Sequence, residues 1–451
     1  MQTDDRLTAE TTELLQHLIR AGCVNDGRRE SGHESRNADL LTGVLEGAGL
    51  DVERFEPVDG RASVVARIEG SDPSAPTVCL MGHTDVVPAV GDAWREDPFG
   101  GELIDGEVWG RGAVDMLCLT ASMAVATRHL ADTGFAPRGT LVFLGVADEE
   151  AGGAHGAEWL AEHAWDAIGC DVVLTETGGQ LLSTPSGPKV VLVAAEKGIG
   201  WRRLTVRGTP GHGSMPWRSD NALVTAAEVV RRLAAHQARP EITRYWRALV
   251  ESMGLPQEQV AALTDPGRIR DTLDVLPEAI APFAHACTHM TFSPNTAHGG
   301  QKANTIPDEV VLELDVRTLP GQTEEDVRDE LRAALGDLYD RVEMNPIANR
   351  PGTESPVDTP MWDLLERRLL DVHPGAEVIP SMLVGGTDAS FFREKGVVAY
   401  GAGVFSERAT YEQVRSRYHG IDERIDVGSL ALQTALWVDL ARAALDGRGT
   451  D

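Results

Sequence analysis

The feature that most constrains the fold of this chain is a pair of uninterrupted apolar runs, PTVCLMG at 76–82 and TLVFLGVA at 140–147. Strands without apolar and polar alternation are typical of the centre of a sheet that is covered on both faces. Two further apolar segments lie at 63–68 and 170–176, and helical segments such as 117–134 separate the strands. This order predicts an α/β domain with a mostly parallel central sheet.

A second module with a different pattern begins after Lys197. Its segment VVLELDVRT alternates between apolar and charged residues, so one face of its sheet should meet water. Strands are also predicted at GWRRLTVRG, ACTHMTF and RVEMNPI, with one helix at 220–236 and another that starts at a capping box of Thr323 and Asp326. The order βαββαβ predicts an α+β module inserted into the first domain.

The predicted domain boundaries follow from this change of pattern. Residues 1–197 and 353–451 form the first domain, and residues 198–352 form the inserted module. A helical insert at about 239–284 interrupts the module and carries the apolar residues Tyr245, Trp246, Leu249 and Val250. Such an insert could change either a subunit interface or a substrate pocket.

Composition excludes several classes of protein. The formal net charge of -29 makes nucleic acid and anionic membranes improbable partners, since both require a basic surface. The five cysteines are widely spaced and form no CxxC pair, so neither a disulfide framework nor a thiolate zinc site is indicated. The first residues lack the pattern of a signal peptide, and the sequence has no apolar run of 18 residues. We expect a cytoplasmic protein.

Acidic residues and a histidine follow the predicted strands at the points where those strands end. His83 and Asp85 follow the first apolar run, Glu149 and Glu150 follow the second, and Glu176 ends the segment at 170–176. The carboxyl edge of an open α/β sheet is where binding sites form. Each pair alone has an ordinary explanation, because Asp85 could satisfy His83 and acidic residues are common at helix N-termini. The placement of all five residues at the ends of predicted strands favours a functional site at this edge of the sheet.

A concentration of carboxylates requires cations. Asp115 follows the turn WGRGAVD, directly before a helix, and could reach the same edge. Packing these carboxylates together costs several kcal/mol unless divalent metal neutralises them. Imidazole nitrogen with carboxylate oxygen suits zinc, and also manganese or cobalt. The sequence therefore predicts a metal site, in which zinc could lower the pKa of a bound water from 15.7 to roughly 7.

The motifs resemble, in order from about residue 80 to residue 426, those of the M20 metallopeptidase family: MGHTDVVP, DPFGGELIDGEVWGRGAVDM, DEEAGGAHGA, TETGG, GTPGHGSMP, NTIP, GGTDASFF and HGIDERI. That family includes aminoacylase, acetylornithine deacetylase, succinyl-diaminopimelate desuccinylase and glutamate carboxypeptidase. The resemblance implies a zinc-peptidase-like catalytic domain with an inserted lid and dimerisation domain. It also implies hydrolysis of the amide bond of N-acyl amino acids or short peptides that carry a free carboxylate, as an aminoacylase or a carboxypeptidase or dipeptidase.

The resemblance also assigns roles to single residues. Two divalent ions, zinc with cobalt or manganese as alternatives, would share Asp115. His83 and Glu176 would complete one ion's ligands, and Glu150 and His419 those of the other. Glu149 would be the general base that transfers a proton from water to the leaving amine, and Asp85 would orient His83. For His419 the resemblance is the whole argument, since RSRYHGIDERID shows only a histidine in a polar loop.

Other implied roles concern the substrate and a second subunit. In a homodimer His212 would reach the partner's site and stabilise the developing oxyanion, while Asn304 and Arg317 would hold the substrate carboxylate. A pair with Glu313 or Asp315 is the alternative for Arg317. Gly386 and Thr387 could contact the substrate, and the peptide bond after Asp115 is expected to be cis.

The chain departs from the family pattern at Leu117 and Cys118 and by the helical insert at about 239–284, and two other functions are alternatives. Leu117 and Cys118 stand where relatives often carry lysine and glycine, but neither position is a ligand. A degenerate member could act as a binding module for amino-acid derivatives, although it would have no need of Glu149. A nucleophilic hydrolase using Ser214 or Ser390 with His212 is less favoured, because the sequence has no GxSxG elbow.

Overall fold

The computed structural model describes residues 2–89 and 93–446. The strands are β1 Val52–Phe55, β2 Ser63–Ile68, β3 Thr77–His83, β4 Glu102–Ile104, β5 Glu107–Trp109, β6 Thr140–Val146, β7 Val172–Thr175, β8 Gln180–Thr184, β9 Gly187–Glu196, β10 Gly198–Ile199, β11 Arg202–Arg207, β12 Gly211–His212, β13 Thr291–Gly299, β14 Thr305–Ile306, β15 Glu309–Thr318, β16 Val342–Pro346, β17 Thr353–Glu354, β18 Glu377–Leu383, β19 Val398–Gly401 and β20 Arg424–Asp426.

Fifteen α-helices accompany these strands in the described part of the chain. They are α1 Asp5–Ala21, α2 Ser35–Glu46, α3 Leu117–Asp132, α4 Ala157–His163, α5 Trp165–Ile168, α6 Ala222–Ala235, α7 Arg244–Ser252, α8 Gln257–Leu263, α9 Ile269–Leu273, α10 Ala281–Thr288, α11 Glu324–Leu335, α12 Pro360–Val372, α13 Ala389–Glu394, α14 Tyr411–Arg417 and α15 Val427–Leu445. Short 3-10 helices span Glu149–Ala151 and Gly336–Arg341. Within the described residues, no helix combines the length and the apolarity that crossing a bilayer requires.

The larger sheet runs in the order β1-β2-β6-β3-β7-β19-β9-β17, and β8 and β18 also pair with β9. Its centre is parallel, from β6 through β3 and β7 to β19, and the apolar runs form β3 and β6 there. Towards both edges the pairing becomes antiparallel. The predicted α/β class is confirmed, and the sheet is mixed, with its parallel strands at the centre.

Helices α3 and α15 pack against strands of this sheet and α1 packs on both helices, which explains why the segment after Asp115 is apolar on all sides. α3 lies against α1, α15 and β3, so almost every one of its side chains is buried. Its small residues allow the close approach of its neighbours, and Trp437 on α15 donates from Nε1 to Ser122 Oγ at 2.9 Å. The start of α3 is therefore held rigidly at the carboxyl edge of the sheet.

The second sheet confirms the predicted βαββαβ order of the inserted module. Its main strands run β16-β11-β15-β13 and are all antiparallel. Alternate residues of β15 are buried against α6 and α11, and the opposite face is partly exposed. Thr323 and Asp326 form the predicted capping box at the start of α11.

The predicted strand at ACTHMTF is wrong in its first half. Helix α10 continues to Thr288, and β13 begins only at Thr291. The buried ammonium of Lys197 donates to the carbonyl oxygens of Ala286 at 3.0 Å and His289 at 2.8 Å. These bonds satisfy carbonyls at the helix C-terminus that would otherwise lack a partner. The end of this helix is thus stabilised by a lysine from a distant part of the sequence.

The helical insert packs on the larger core. Tyr245, Trp246 and Val250 belong to the hydrophobic cluster that contains the helices and strands of the first domain, and α7 lies against β18. Trp246 donates from Nε1 to the carbonyl of Leu263 at 2.8 Å, which ties α7 to α8. The domain boundaries at 197 and 353 stay a prediction, as does a cytoplasmic location.

Candidate metal centre

Asp115 lies at the centre of a cluster of acidic residues and histidines. It ends the loop before α3, and its peptide bond to Met116 is cis, as expected. One carboxylate oxygen, Oδ1, lies 3.3 Å from His83 Nε2, and the other, Oδ2, lies 3.1 Å from His419 Nε2. A carboxylate whose two oxygens face two different imidazoles has the arrangement that a bridging ligand needs.

Two groups of potential metal ligands share this carboxylate. Within each group the ligand atoms all lie within 4.8 Å of one another. Glu176 Oε2 lies 4.0 Å from His83 Nε2, and Glu150 Oε2 lies 3.2 Å from His419 Nε2. The first group is His83, Asp115 and Glu176, and the second is Asp115, Glu150 and His419. The structure therefore brings together the five side chains that the resemblance assigns to the two ions.

The electrostatics of the cluster favour cations. Burial and the Asp115 carboxylate raise the pKa of Glu176 well above its ordinary value. Hydrogen bonds to Asp115 and Glu150 raise the pKa of His419 to about 10. Glu150 Oε1 is buried and has no hydrogen-bond partner among the described residues. Nitrogen and oxygen donors around unneutralised negative charge fit a pair of divalent ions.

His83 is oriented by the main chain. Its Nδ1 lies 2.9 Å from the carbonyl oxygen of Asp85 and 3.5 Å from that residue's carboxylate. Because a carbonyl oxygen can only accept, Nδ1 carries a proton in this contact, and Nε2 is the nitrogen that faces Asp115 and would bind an ion. The sequence predicts a role for Asp85 in orienting His83, and the atom nearest to the ring is a backbone oxygen.

The Asp85 side chain holds a different part of the site. Its Oδ1 accepts the N–H of Glu149 at 3.3 Å, and its Oδ2 accepts the N–H of Glu150 at 3.1 Å. Asn25 donates to the same Oδ2 at 2.8 Å. Asp85 thus joins the end of β3, which carries His83, to the turn that carries both glutamates.

Glu423 is a positioning residue that the sequence interpretation missed. Its Oε1 accepts the N–H groups of Val114 at 2.7 Å and Asp115 at 2.9 Å. Its Oε2 accepts the N–H of Gly112 at 3.1 Å and the Arg111 guanidinium at 2.8 Å. Burial raises the pKa of Glu423 to about 7. The only signal is its place in HGIDERI, four residues after His419.

Two of the predicted residues lie away from this cluster, in the inserted module. Strand β12 pairs His212 with Thr305, and the N–H of Gly213 donates to the carbonyl of Asn304. Both His212 and Asn304 are exposed, and Ser214 Oγ lies 2.8 Å from His212 Nδ1. Among the described residues, no hydrogen bond joins either one to the two ligand groups.

The other residues predicted to contact the substrate are Arg317, Gly386 and Thr387, and two of them form hydrogen bonds within the chain. Arg317 donates from Nε to Asp315 at 2.8 Å, which is one of the alternatives weighed for it. Thr387 donates from both its N–H and its hydroxyl to Glu196 Oε2, each at 2.8 Å. Gly386 precedes it in a turn next to the end of β9. Their contacts with substrate stay predictions.

Comparison with known proteins decides the family. The model of the peptidase family M20/M25/M40 matches residues 79–443. The chain belongs to this family. The resemblance seen in the motifs is confirmed, and the chain is a metal-dependent hydrolase of the M20 type.

The similar proteins of this M20 member have names that describe several different activities. It is 28% identical over 400 residues to the N-fatty-acyl-amino acid synthase/hydrolase PM20D1 of Xenopus tropicalis, covering 84% of this chain and 75% of that one. It is 26% identical over 441 residues to the succinyl-diaminopimelate desuccinylase of Maricaulis maris (strain MCS10), covering 96% and 95%. The solved M20 family metallo-carboxypeptidase Sso-CP2 from Sulfolobus solfataricus superposes with a TM-score of 0.73 at 19% identity, covering 96% and 99%. That structure supports the fold.

We expect the exchange Glu423→Gln to weaken metal binding by about 10- to 100-fold, the range found when groups that orient metal ligands are removed. The amide nitrogen of glutamine would face backbone N–H groups that need an acceptor, so the loop that carries Asp115 would move. Competition with a chromogenic chelator measures the affinity for zinc. The exposed Glu412, on α14, provides the matched control Glu412→Gln. Equal affinities in the two variants would contradict the positioning role.

Proposed function

We propose that this M20 protein is a two-metal amidohydrolase that cleaves N-acyl amino acids or short peptides carrying a free carboxylate. The observation that carries the proposal is the pair of ligand groups that share Asp115, with Glu149 beside them. The names of the compared proteins describe a hydrolase of N-fatty-acyl amino acids, a desuccinylase and a carboxypeptidase. These names support an amide as the bond that is cleaved.

The two groups would hold two divalent ions, with zinc as the first choice and cobalt or manganese as alternatives. When bound, such ions polarise a carbonyl oxygen and lower the pKa of water, which makes water a nucleophile near neutral pH. His83 and Glu176 would bind one ion, Glu150 and His419 the other, and Asp115 both. The absence of sulfur from the ligand set agrees with a catalytic site rather than a structural one.

Glu149 is our candidate for the general base. It begins the 3-10 helix after β6, where the Asp85 carboxylate fixes its backbone N–H. Burial and the neighbouring Glu176 carboxylate raise the pKa of Glu149 well above its ordinary value. A carboxyl group with a raised pKa can take a proton from the attacking water and deliver it to the leaving nitrogen.

The inserted module would complete the site from a second copy of the chain. His212 is exposed on this module, and so are large apolar side chains near it, with Met215 71% and Trp217 83% exposed. Exposed apolar side chains that lie close together mark interaction surfaces. In a homodimer formed through this module, His212 would stabilise the developing oxyanion of the partner's site, and Asn304 with Arg317 would hold the substrate carboxylate.

The proposed function is tested by hydrolysis assays of the zinc-loaded protein with N-acetyl amino acids, N-succinyl amino acids and dipeptides. We expect release of the amino acid from at least one class, loss of this activity with a chelator, and recovery on adding zinc. Activity that persists after complete metal removal would contradict metal catalysis and favour a nucleophilic serine. Tight binding without turnover would instead favour a binding module.

The proposed roles of Glu149 and His212 predict complementation between two inactive variants. Glu149→Gln should retain both metals and lose turnover by about 10²- to 10⁴-fold, the usual contribution of a general base. His212→Ala should also be impaired. In a mixed dimer, the chain with His212→Ala keeps Glu149 and receives His212 from its partner.

We therefore expect activity to rise when the two variants are unfolded or dissociated together and reassembled. The matched control mixes Glu149→Gln with a variant at the exposed Ser293, Ser293→Ala, in a reaction that contains no His212 change. That control measures the activity of a mixture in which one of the two chains keeps both Glu149 and His212. A mixture of the two inactive variants that stays as inactive as each alone would contradict a site shared between subunits.

A further inference from the structure

A cavity of about 300 Å³ is lined in part by residues that neighbour two of the candidate metal ligands in the sequence. Thr177 and Gln180, on one wall, closely follow the ligand Glu176, and Tyr418, on another, directly precedes His419. Gln180 donates from Nε2 to the Tyr418 hydroxyl at 3.3 Å, which joins the two segments. Two of the segments that line the cavity therefore also carry Glu176 and His419, one member of each ligand group. The volume lies at the lower end of the range of about 300 to 1,000 Å³ that ligand pockets occupy.

The walls of this cavity are mainly apolar. Val191 and Val193 on β9 and Met382 and Leu383 on β18 form one side, and Phe283 on α10 of the helical insert faces the space from another. Hydrophobic walls stabilise a ligand in proportion to the apolar area that they remove from water, about 25 cal/mol per Å². A group that fits here should itself be apolar.

The charges around the cavity distinguish two kinds of substrate. None of its lining residues is a carboxylate, and the charged side chain among them is Arg415, whose guanidinium lies 4.7 Å from the centre of the Phe283 ring. With the acyl side of the substrate placed towards this cavity, a dipeptide would bring its free ammonium group here, where the group would lose water without gaining an acidic partner. An N-acyl group carries no such charge.

We propose that this cavity, the acyl cavity, binds an apolar acyl chain of several carbons, and that Phe283 sets the accepted length. The preferred substrates are then N-acyl amino acids with an apolar acyl chain, rather than dipeptides. This inference rests on the proposed amidohydrolase function and specifies its substrate class. It also gives the helical insert a role in specificity.

The position of Phe283 is fixed relative to the opposite wall. Lys197 follows directly after β9, the strand that carries Val191 and Val193. Its buried ammonium donates to the carbonyls of Ala286 and His289 at the end of α10, the helix of Phe283. The two walls are thereby connected by hydrogen bonds in a buried region, so the width of the acyl cavity is well defined.

A series of N-acyl derivatives of one amino acid tests the acyl cavity, with acetyl, butanoyl, hexanoyl and octanoyl groups. We expect kcat/KM to rise about fourfold for each added methylene until the cavity is filled. The succinyl derivative is the matched partner of the butanoyl derivative, since both acyl groups have four carbons and the succinyl group carries a charged carboxylate in place of the terminal methyl. We expect the butanoyl derivative to be hydrolysed faster than both the succinyl derivative and a dipeptide with the same C-terminal residue.

Variants of the insert test the role of Phe283. Phe283→Ala should remove this limit on chain length and raise the ratio of kcat/KM for octanoyl over acetyl substrate by about tenfold or more. Ile280→Ala is the control, because Ile280 lies on the same insert, is 50% exposed and does not line the cavity. Val193→Leu, which adds a methylene to the opposite wall, should shift the preference towards shorter chains. Thermal unfolding of each variant shows whether it is folded.

The outcomes separate this inference from the function on which it rests. Absence of hydrolysis for every N-acyl amino acid and for the dipeptide would overturn the proposed function itself. Hydrolysis with no dependence on acyl length, or with the succinyl derivative or the dipeptide fastest, would overturn the acyl cavity and leave the amidohydrolase intact. An unchanged chain-length ratio in folded Phe283→Ala would remove that residue from the proposal.

Discussion

The site of this protein depends on one carboxylate that faces two imidazoles. The oxygens of Asp115 lie 3.3 Å from His83 and 3.1 Å from His419, so the two ligand groups have a common member. This geometry requires that the loop before α3 be held in place, which the buried Glu423 does with bonds to the N–H groups of Val114 and Asp115. Since Glu423 and His419 belong to the same segment, one stretch of chain both supplies a ligand and fixes the bridging residue.

Other buried carboxylates near the ligand groups have hydrogen-bond and ion-pair partners within the chain. Asn25 donates to Asp85 at 2.8 Å and to Asp148 at 3.1 Å. The buried guanidinium of Arg61 pairs with Glu34 at 2.7 Å and with Asp148 at 3.2 Å. The Arg61 guanidinium offsets part of the charge of Glu34 and Asp148, and the Asn25 amide stabilises Asp85 and Asp148 by hydrogen bonds. The carboxylates of the two ligand groups are left for divalent cations.

Sequence patterns predicted the regular parts of the fold, because β3, β6 and β15 are set by apolar periodicity and the α11 cap by a local motif. The end of α10 was mispredicted, and the carbonyls there are bound by Lys197, a residue from a distant part of the chain that a local pattern does not include. The ligands on strand ends could be suspected from position alone, whereas His419 required the resemblance. Glu423 was missed because a polar loop shows no periodicity that would mark a buried acid.

Metal stoichiometry tests the shared carboxylate most directly. Purified wild-type protein, His419→Ala and Asp115→Ala would be equilibrated at one free zinc concentration, and the zinc bound per chain would be measured by atomic absorption. We expect two ions in the wild type, one in His419→Ala, where the group around His83 remains complete, and none in folded Asp115→Ala, because both groups lose their common ligand. An Asp115→Ala protein that still binds two zinc ions would contradict the bridging role on which this account rests.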